Sequence, residues 1–587
     1  MRFILAIVSF VLAFVLISYG VAQRTIFAGP DNVTAVASLT SDAPVTVIDS
    51  SVLRQHPGHQ TITVSGARKV FAAYGRTDDV RAWVGNASYN KIGYNVDKVA
   101  LTGKVVDGKE SEVPDPRGSD LWLDERSGEL QLSFTVNVPK GISVIIASDG
   151  KKVAPSSVSI RWPLDNRTPW SGPLVIAGVL LLIVGLGLYL WALNHLRKAR
   201  GPRRKSPKMP KVPRQRKYKP RPPRAPEVAS GRRRSTKRRL IAVVPVLLAG
   251  SLALSGCSPD SWPTFGGGGQ GTPTPTATAR PDVASNQQHV AVTVPQLTEI
   301  VSKVSAVAAK ADQAKDDALL ASRFEGPALE VRTANYAIRR IDGTVSARSS
   351  IPYRKIEVAL PQQSDTWPRT VFAVVSNPAD KTASPVALML VQATPRENFK
   401  VDYALTLEPK IVLPKVASAT VGAPRLNPEN KFFTLSPSKV ALAYGDILLK
   451  GPSSEFAKYF DTTADQFVAK QGFAAKQAQK AAIPPQASIE FSNEPGAGET
   501  IVFGTNDTGA IVVVNLNQIE AVTPTEAGAS VNPSGLTKTL SGITSTLKGI
   551  VARYSDQLMF YVPKAESNRK IVLLDSADGL ISAKEKP

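Results

Sequence analysis

The residues best able to do chemistry in this 587-residue chain are few and scattered. Four histidines occur, with His56 and His59 in a Pro-Gly turn and His195 and His289 far from them. A His-x-x-His pair supplies two metal ligands. Zinc motifs need a third ligand and a helical scaffold, so a surface loop is the better reading. Ser436-x-x-Lys439 and Ser545-x-x-Lys548 repeat the Ser-x-x-Lys element of penicillin-binding enzymes, without its Ser-Asp-Asn and Lys-Thr-Gly partners. Ser436 precedes Pro437 and reads instead as a helix N-cap with proline at the first helical position. Asp115, Asp120, Asp124, Glu125 and Glu129 cluster, but they lack the calcium-loop spacing and its central glycine. A solvated loop is favoured over a weak cation site. Gly266 to Gly269 have no Gly-Lys-Ser or Gly-Lys-Thr after them and no strand before them, which excludes a phosphate loop. No Gly-x-Ser-x-Gly elbow is present. No catalytic, cofactor-binding or metal-ligating residue is therefore assigned, and no cofactor is expected. The sole cysteine, Cys257, can form neither an intramolecular disulfide nor a Cys-based zinc cluster.

The elements that carry these residues form more than one folding unit, since the chain far exceeds the ~100 to 200 residues of a typical domain. Hydrophobic residues at 43% and charged residues at 20% are enough for buried cores. Residues 3–21 are uncharged and reach ~28 Å as a helix, close to the ~30 Å hydrocarbon core of a bilayer. They form an uncleaved transmembrane anchor or, with Gly20 and Ala22 as cleavage-site residues, a signal peptide; the anchor is favoured because secretory apolar regions run ~7 to 15 residues. Residues 173–193 are also uncharged, with Trp170 before them and Tyr189 and Trp191 at the far end, the placement of interfacial aromatic anchors. A second transmembrane helix is expected there.

Residues 197–239 hold 20 Lys or Arg against one acid, Glu227, a local net of +19 out of the chain's +23. Positive charge beside a spanning helix resists translocation, which makes this tract a cytoplasmic linker. Its eight prolines leave it extended. Nucleic-acid binding needs stacking aromatics or a folded reader, and only Tyr218 is available; attraction to anionic lipid is the better account, and no nucleic-acid partner is expected.

Residues 240–255 are apolar but reach only ~24 Å, short of a comfortable span. They follow Arg232, Arg233, Arg234, Lys237, Arg238 and Arg239 and close on Leu254-Ser255-Gly256-Cys257. That ending resembles the lipobox of bacterial lipoproteins, and the resemblance implies that the Cys257 thiol receives a diacylglyceryl group and that the signal peptidase cuts before it. Residues 240–257 are a lipoprotein-signal-like segment or a third membrane helix. Their position departs from the pattern, because lipoprotein signals stand at the N-terminus. Alternating sides then puts the N-terminus inside, residues 25–168 outside, the basic linker inside and everything after Cys257 outside.

The two outer portions differ in pattern. Residues 25–168 read as short strands near 35–39, 45–48, 61–64, 96–102, 130–138 and 141–147 separated by turns, which predicts an all-β sandwich ectodomain. Residues 258–288, with their Gly run and a Thr-Pro-Thr-Pro repeat, read as a disordered spacer. Beyond it, apolar residues from Leu297 to Ala311 recur at helical spacing, and strands follow near 354–360, 370–375, 386–392 and 400–407 as an antiparallel meander. A second cycle has helices at 436–449 and 455–480, then strands near 488–491, 500–504, 510–515, 557–562 and 570–574. The expectation is two α+β domains, 289–432 and 433–587. Helices followed by a curved antiparallel sheet, twice, resemble the NTF2-like or cystatin-like fold, and the whole chain resembles the uncharacterised membrane-bound lipoproteins of high-GC Gram-positive bacteria. Those likenesses imply an envelope location and no particular reaction. The expected function is a membrane-anchored, extracytoplasmic, non-enzymatic binding or assembly module at the cell surface, partnered by the membrane and by envelope proteins or wall polymer. The alternative is an extracytoplasmic hydrolase or transferase acting on envelope glycans, whose paired carboxylates only the fold brings together.

Overall fold

The computed structural model describes residues 2–164, 168–199, 289–380, 382–408 and 411–587. Leu254, Ser255, Gly256 and Cys257, residues 200–239 of the basic tract and the spacer at 258–288 lie outside the described residues. From the N-terminus the chain runs through α1 (Arg2–Thr25), then a β-rich portion with the short helices α2 (Ser50–Leu53) and α3 (Thr77–Val84), and then α4 (Ser171–Ala199). Two compact units result, one holding α1 and α4 and the other holding both folded portions.

Helices α1 and α4 are both long and apolar enough to cross a membrane. They form an antiparallel hairpin: Phe3 meets Tyr189 at one end, with ring centroids 6.0 Å apart, and Gly20 meets Val175 at the other. What they bury is small. Along α1 the buried residues are Ala6, Ala13 and Gly20, and along α4 beyond its first turn they are Gly178, Gly185 and Ala192. Each set repeats every seven residues, the spacing that keeps one seam facing a partner helix. The contact is backbone-close, for a Cβ on Gly178 would lie 2.6 Å from the Ile17 side chain and 3.0 Å from the Ala13 carbonyl oxygen. Large apolar side chains such as Ile4, Phe14, Ile183 and Val184 point outward and are exposed.

The β-rich portion holds β1 (Asn32–Ser38), β2 (Val45–Ile48), β3 (Gln60–Arg76), β4 (Tyr89–Asn95), β5 (Ala100–Val106), β6 (Asp124–Val136), β7 (Ile142–Ala147) and β8 (Ser157–Pro163). They hydrogen-bond as one eight-stranded sheet in the order β1-β8-β3-β7-β2-β4-β5, with β6 also on β3. The expected sandwich of separate antiparallel sheets is thus one continuous mixed sheet, in which β2 and β4 run parallel. The sheet can turn because β3 is 17 residues long and breaks register between Ser65 and Lys69, where Gly66 adopts φ +93. A side chain there would meet the Ser156 hydroxyl at 2.1 Å. The alternation expected over 130–138 holds from Leu132 through Phe134 to Val136, but Leu130 takes a positive φ and is exposed. Helix α3 was not read from the sequence. It turns Asp79, Val80, Trp83 and Val84 inward.

In the C-terminal portion, α5 (Val294–Ala314), α6 (Asp317–Ala321) and α7 (Gly326–Ile341) precede β9 (Lys355–Pro361), β10 (Arg369–Ser376), β11 (Val386–Gln392) and β12 (Lys400–Thr406). The strands form the antiparallel meander expected. Helix α5 starts on a capping box, with the Thr293 hydroxyl accepting from the Gln296 amide and the Gln296 side chain reaching back. The second cycle comprises α8 (Pro437–Lys450), α9 (Gln466–Gln471), α10 (Phe473–Ala482), β13 (Ala487–Pro495), β14 (Ile501–Gly504), β15 (Ala510–Pro524), α11 (Gly535–Ser541), β16 (Ile550–Val562) and β17 (Val572–Glu585). The single helix expected over 455–480 is instead two short helices that part at Gly472, preceded by 3-10 turns. A Cβ on Gly472 would lie 2.3 Å from the Val468 carbonyl.

Each sheet is covered by helices on one face and by the other sheet on its opposite face. In β10, Val371, Ala373 and Val375 pack with Leu297, Val301 and Val304 of α5. The intervening Phe372 and Val374 pack with Ile511, Val513 and Met559 of the other sheet. Likewise Val512 and Val514 of β15 face Tyr444, Ile447 and Leu448 of α8. The layers run helix, sheet, sheet, helix, so the central strands are apolar on both faces and do not alternate.

Candidate functional site: a charged seam and an arginine-lined cavity

Two sites stand out, both built from residues that the sequence pattern left unassigned. The first joins the β-rich portion to the C-terminal portion. Arg76 opens α3 and its Nε donates to Asp79 Oδ2 at 2.7 Å, one turn on. Its remaining nitrogens donate to the carbonyls of Val290 at 2.6 Å and Ala291 at 3.0 Å, across the seam. Asp79, only 2% exposed in its side chain, takes Nη2 of Arg369 at 2.7 Å on its other oxygen. Arg369 stacks 3.7 Å above the Trp367 ring, and Trp367 packs on the core of the β-rich portion that contains Trp83 and Trp122. Burial pushes the Arg369 guanidinium down, and the Asp79 carboxylate opposes that shift.

Asp120 forms the second anchor. Its fully buried carboxylate accepts from Arg323 Nη1 at 2.5 Å and Nη2 at 3.2 Å and from the Phe399 amide at 2.9 Å. Its own amide donates to Asn398 Oδ1 at 2.9 Å. Arg396 closes the edge by donating to the carbonyls of Trp83 and Val84, both at 2.8 Å. The Asp79 and Asp120 carboxylates each face an opposite charge and accept more than one hydrogen bond, the condition under which burying charge is tolerated, whereas Nε and Nη1 of Arg369 are buried without a hydrogen-bond partner.

The acidic cluster of the sequence is thereby dispersed. Asp115 pairs with Arg117 and Asp124 with Arg126, Glu125 accepts from the Gly118 amide, and Asp120 is buried in the seam rather than solvated, a correction to the loop reading. Among the described residues no group of three or more His, Cys, Asp or Glu is placed to hold a metal ion. His56 lies against the Trp162 ring, and His289 Nδ1 is 3.2 Å from Asp365. Ser436 stands at the N-cap of α8 before Pro437, without a side-chain capping bond. Lys548 sits 3.8 Å from Glu585.

The second site is a cavity of about 350 Å³ in the C-terminal portion, lined by Arg332 and Asn335 of α7, Arg348, Thr406, Leu536 of α11 and Gln557 of β16, among others, and by no carboxylate. Arg332 is committed to Asp312, which it grips at 2.7 and 3.0 Å, and to the Ser349 carbonyl. Arg348 donates to the Asp578 carbonyl at 2.5 Å. Burial pushes the Arg348 guanidinium down; the Asp578 charge opposes that shift, and the neighbouring Arg332 adds to it. Two guanidiniums that repel each other beside amide and hydroxyl groups form a donor-rich pocket with an apolar wall.

A third feature is electrostatic. Asp402, at the start of β12, is pushed up to about 7, chiefly by burial and then by the charges of Glu325 and Glu499, with Arg425 opposing. Gly326, at φ +52, makes room for it, since a Cβ there would meet Asp402 Oδ1 at 1.9 Å.

The fold and these sites define a protein with an apolar helix hairpin, a β-rich portion and a double-sheet α+β portion joined by buried ion pairs. Residues 288–584 match the family described as Domain of unknown function (DUF8094), and the chain belongs to that family. No curated protein and no solved structure matches the chain.

The sequence signal for the seam was present but ambiguous. Arg369 opens an apolar strand and Asp120 stands among Leu121, Trp122 and Leu123. A charge in such company is buried and paired or lies on a turn, and spacing alone does not separate the two.

Proposed function

We propose that the protein is a membrane-anchored extracytoplasmic envelope protein whose two folded portions act together as a non-enzymatic binding or assembly module of the cell surface. The observation that carries this reading is the seam. Residues packed together through Asp79–Arg369 and Asp120–Arg323 share one side of a membrane. With α1 and α4 spanning as a hairpin, the chain leaves that side at Ser171 and has to recross between residues 200 and 288 to rejoin it. The apolar segment 240–255 suits that return, and the Arg-rich stretch before it suits the cytosolic face. The hairpin's exposed Leu, Ile and Phe surface with a Gly/Ala seam is the pattern of helices packed in lipid. Its packing also favours a retained α1 over a cleaved signal peptide. At Cys257, the lipobox-like ending supports acylation, and two added chains suffice for stable attachment. The alternation of helices and antiparallel sheets fits the NTF2-like likeness, and the β-rich portion at 32–163 serves as the sandwich-like ectodomain. Arg348, which lines the cavity and donates to a backbone carbonyl, suits an acidic group on a small ligand or wall polymer, while the absence of a lining carboxylate argues against glycan hydrolysis there.

Protease added to intact spheroplasts is expected to digest the flanking folded portions and spare residues 200–239; digestion of the basic stretch with both flanks intact overturns the sidedness. Cys257→Ser is expected to abolish lipid labelling, and labelling that persists in that variant refutes acylation.

A second reading, an extracytoplasmic hydrolase or transferase on envelope glycans, draws on Asp402, because a carboxyl pushed up to about 7 holds its proton near neutrality as a general acid does. Glycan turnover that disappears in Asp402→Asn with the fold intact favours that reading.

A further inference from the structure

The β-rich portion and the C-terminal portion are linked covalently only through residues 164–288, yet their contact has the makeup of a protein–protein interface. Aromatic and arginine anchors are the side chains that dominate such interfaces, and here Arg323, Arg369, Arg396 and Trp367 come from one side while Arg76, Trp83, Asp79 and Asp120 come from the other. Recognition runs both ways: Arg76 reaches carbonyls of 290 and 291, and Arg396 reaches carbonyls of 83 and 84. Gln296, inside the α5 capping box, also donates to the Leu121 carbonyl at 3.2 Å. The start of α5 is therefore itself docked on the β-rich portion. Asp79 also accepts from Arg76 of its own portion, so one of its two oxygens has a partner that does not come from across the seam.

We infer that this seam is a self-sufficient interface, so that the β-rich portion is the specific binding partner of the C-terminal portion and retains it after the chain between them is cut. A cut at the lipobox-like ending would then yield a two-chain complex rather than two independent proteins. The inference goes beyond the sidedness reading and does not depend on it, because it concerns the described contact alone.

The test uses the full chain with a site-specific protease sequence inserted between Gly269 and Gln270 and an N-terminal tag held on resin in detergent. The fragment released by cutting there carries neither an apolar segment nor Cys257, so its retention reports the seam and not the micelle. The expected result is that the C-terminal fragment stays on the resin after cleavage, including at about 1 M NaCl, because buried pairs are screened far less than exposed ones. Elution of the fragment upon cutting overturns the inference. In the cut protein, Asp120→Ala is expected to speed release by at least about tenfold. Where that variant melts early, Arg396→Ala serves instead, since its guanidinium meets carbonyls at the edge and leaves both cores intact. It is expected to speed release while the melting of each fragment is unchanged. Release as slow as that of the unmutated seam in both variants overturns the assignment of these anchors.

Discussion

Helices α1, α4 and α5 are all long, with 24, 29 and 21 residues, and all carry Val, Ile, Leu and Ala, but α5 mixes them with charged residues, and the helices are built inside out with respect to each other. Helix α5 buries Leu297, Ile300, Val301 and Val304 and keeps Lys310 and Glu299 exposed, as a helix packed on a sheet in water does. The α1–α4 hairpin buries Ala6, Ala13, Gly178 and Gly185 and turns Phe14, Ile183 and Val184 outward. In water the second arrangement gives up apolar burial worth ~25 cal/mol per Å². Where the surroundings are as apolar as leucine, there is no such loss, and close backbone packing decides which face turns inward. If the hairpin lies in lipid, the same residue types are sorted by the medium around them.

One substitution in each region tests that sorting with the largest expected effect. Val304→Asp places an unpaired carboxylate in a fully buried site among Leu297, Val301 and Val371. It is expected to lower the stability of the C-terminal portion by about 4 kcal/mol or more in chemical denaturation. Val184→Asp changes an outward position that is 57% exposed. If the hairpin lies in lipid, this change costs ~2.5 to 3.5 kcal/mol of insertion at the helix centre, read as loss of the protein from washed membranes. Unchanged membrane retention with better solubility would break the comparison.

The two regions also differ in what they titrate. Between residues 3 and 23 the hairpin carries no charged side chain, whereas the C-terminal core encloses Asp556, pushed up to about 8 chiefly by burial. One oxygen of Asp556 accepts from Gln518 at 2.7 Å, and the other is buried without a partner. A carboxyl whose folded pKa lies above its unfolded value favours the native state fully below pH ~4, and that contribution is lost as pH rises through the folded pKa. Stability of the C-terminal portion is therefore expected to fall between pH 5 and 8, by an amount on the order of a few kcal/mol. Asp556→Asn, which cannot ionise, is expected to flatten that slope and raise the melting temperature at pH 8. An unaltered slope in the variant would assign the pH dependence elsewhere, with Asp402 as the next group.

How much of this was legible follows from how local each feature is. The spacing Leu297, Ile300, Val301, Val304 can satisfy only a helix on an apolar surface, and Val386 to Gln392 was read with the strand's own limits. Strand lengths were understated where burial changes along a strand: β15 continues past Asn515 to Pro524, buried through Gln518 and half-buried from Ile519 on. Which sheet a strand joins is set by partners far along the chain, so the parallel pairing of β2 with β4 and the packing of the two C-terminal sheets left no local mark. The seam is the extreme case. Asp120 and Arg323 are 203 residues apart, and nothing local to either names the other as its partner.

The hairpin seam gives the subtlest prediction, because it concerns residues that a hydropathy reading treats as fillers. Gly178→Leu adds apolar surface and leaves the helix long and apolar enough to span, so a pure hydropathy argument expects no effect or a gain. The geometry expects a loss: the first added carbon would already lie 2.6 Å from Ile17 and 3.0 Å from the Ala13 carbonyl. Both neighbours belong to the facing helix, and the backbone contact can be relieved only by moving the helices apart. Overpacking of this kind costs ~1 to 3 kcal/mol, here charged to helix pairing and not to insertion. Cross-linking between cysteines placed at Phe3 and Tyr189, whose rings lie 6.0 Å apart, in a Cys257→Ser background is expected to fall in Gly178→Leu while membrane retention stays constant. The same change at Gly187, where a Cβ meets nothing within 4 Å, is expected to leave cross-linking intact. Equal behaviour of the two glycines would mean that the small-residue seam does not set the pairing.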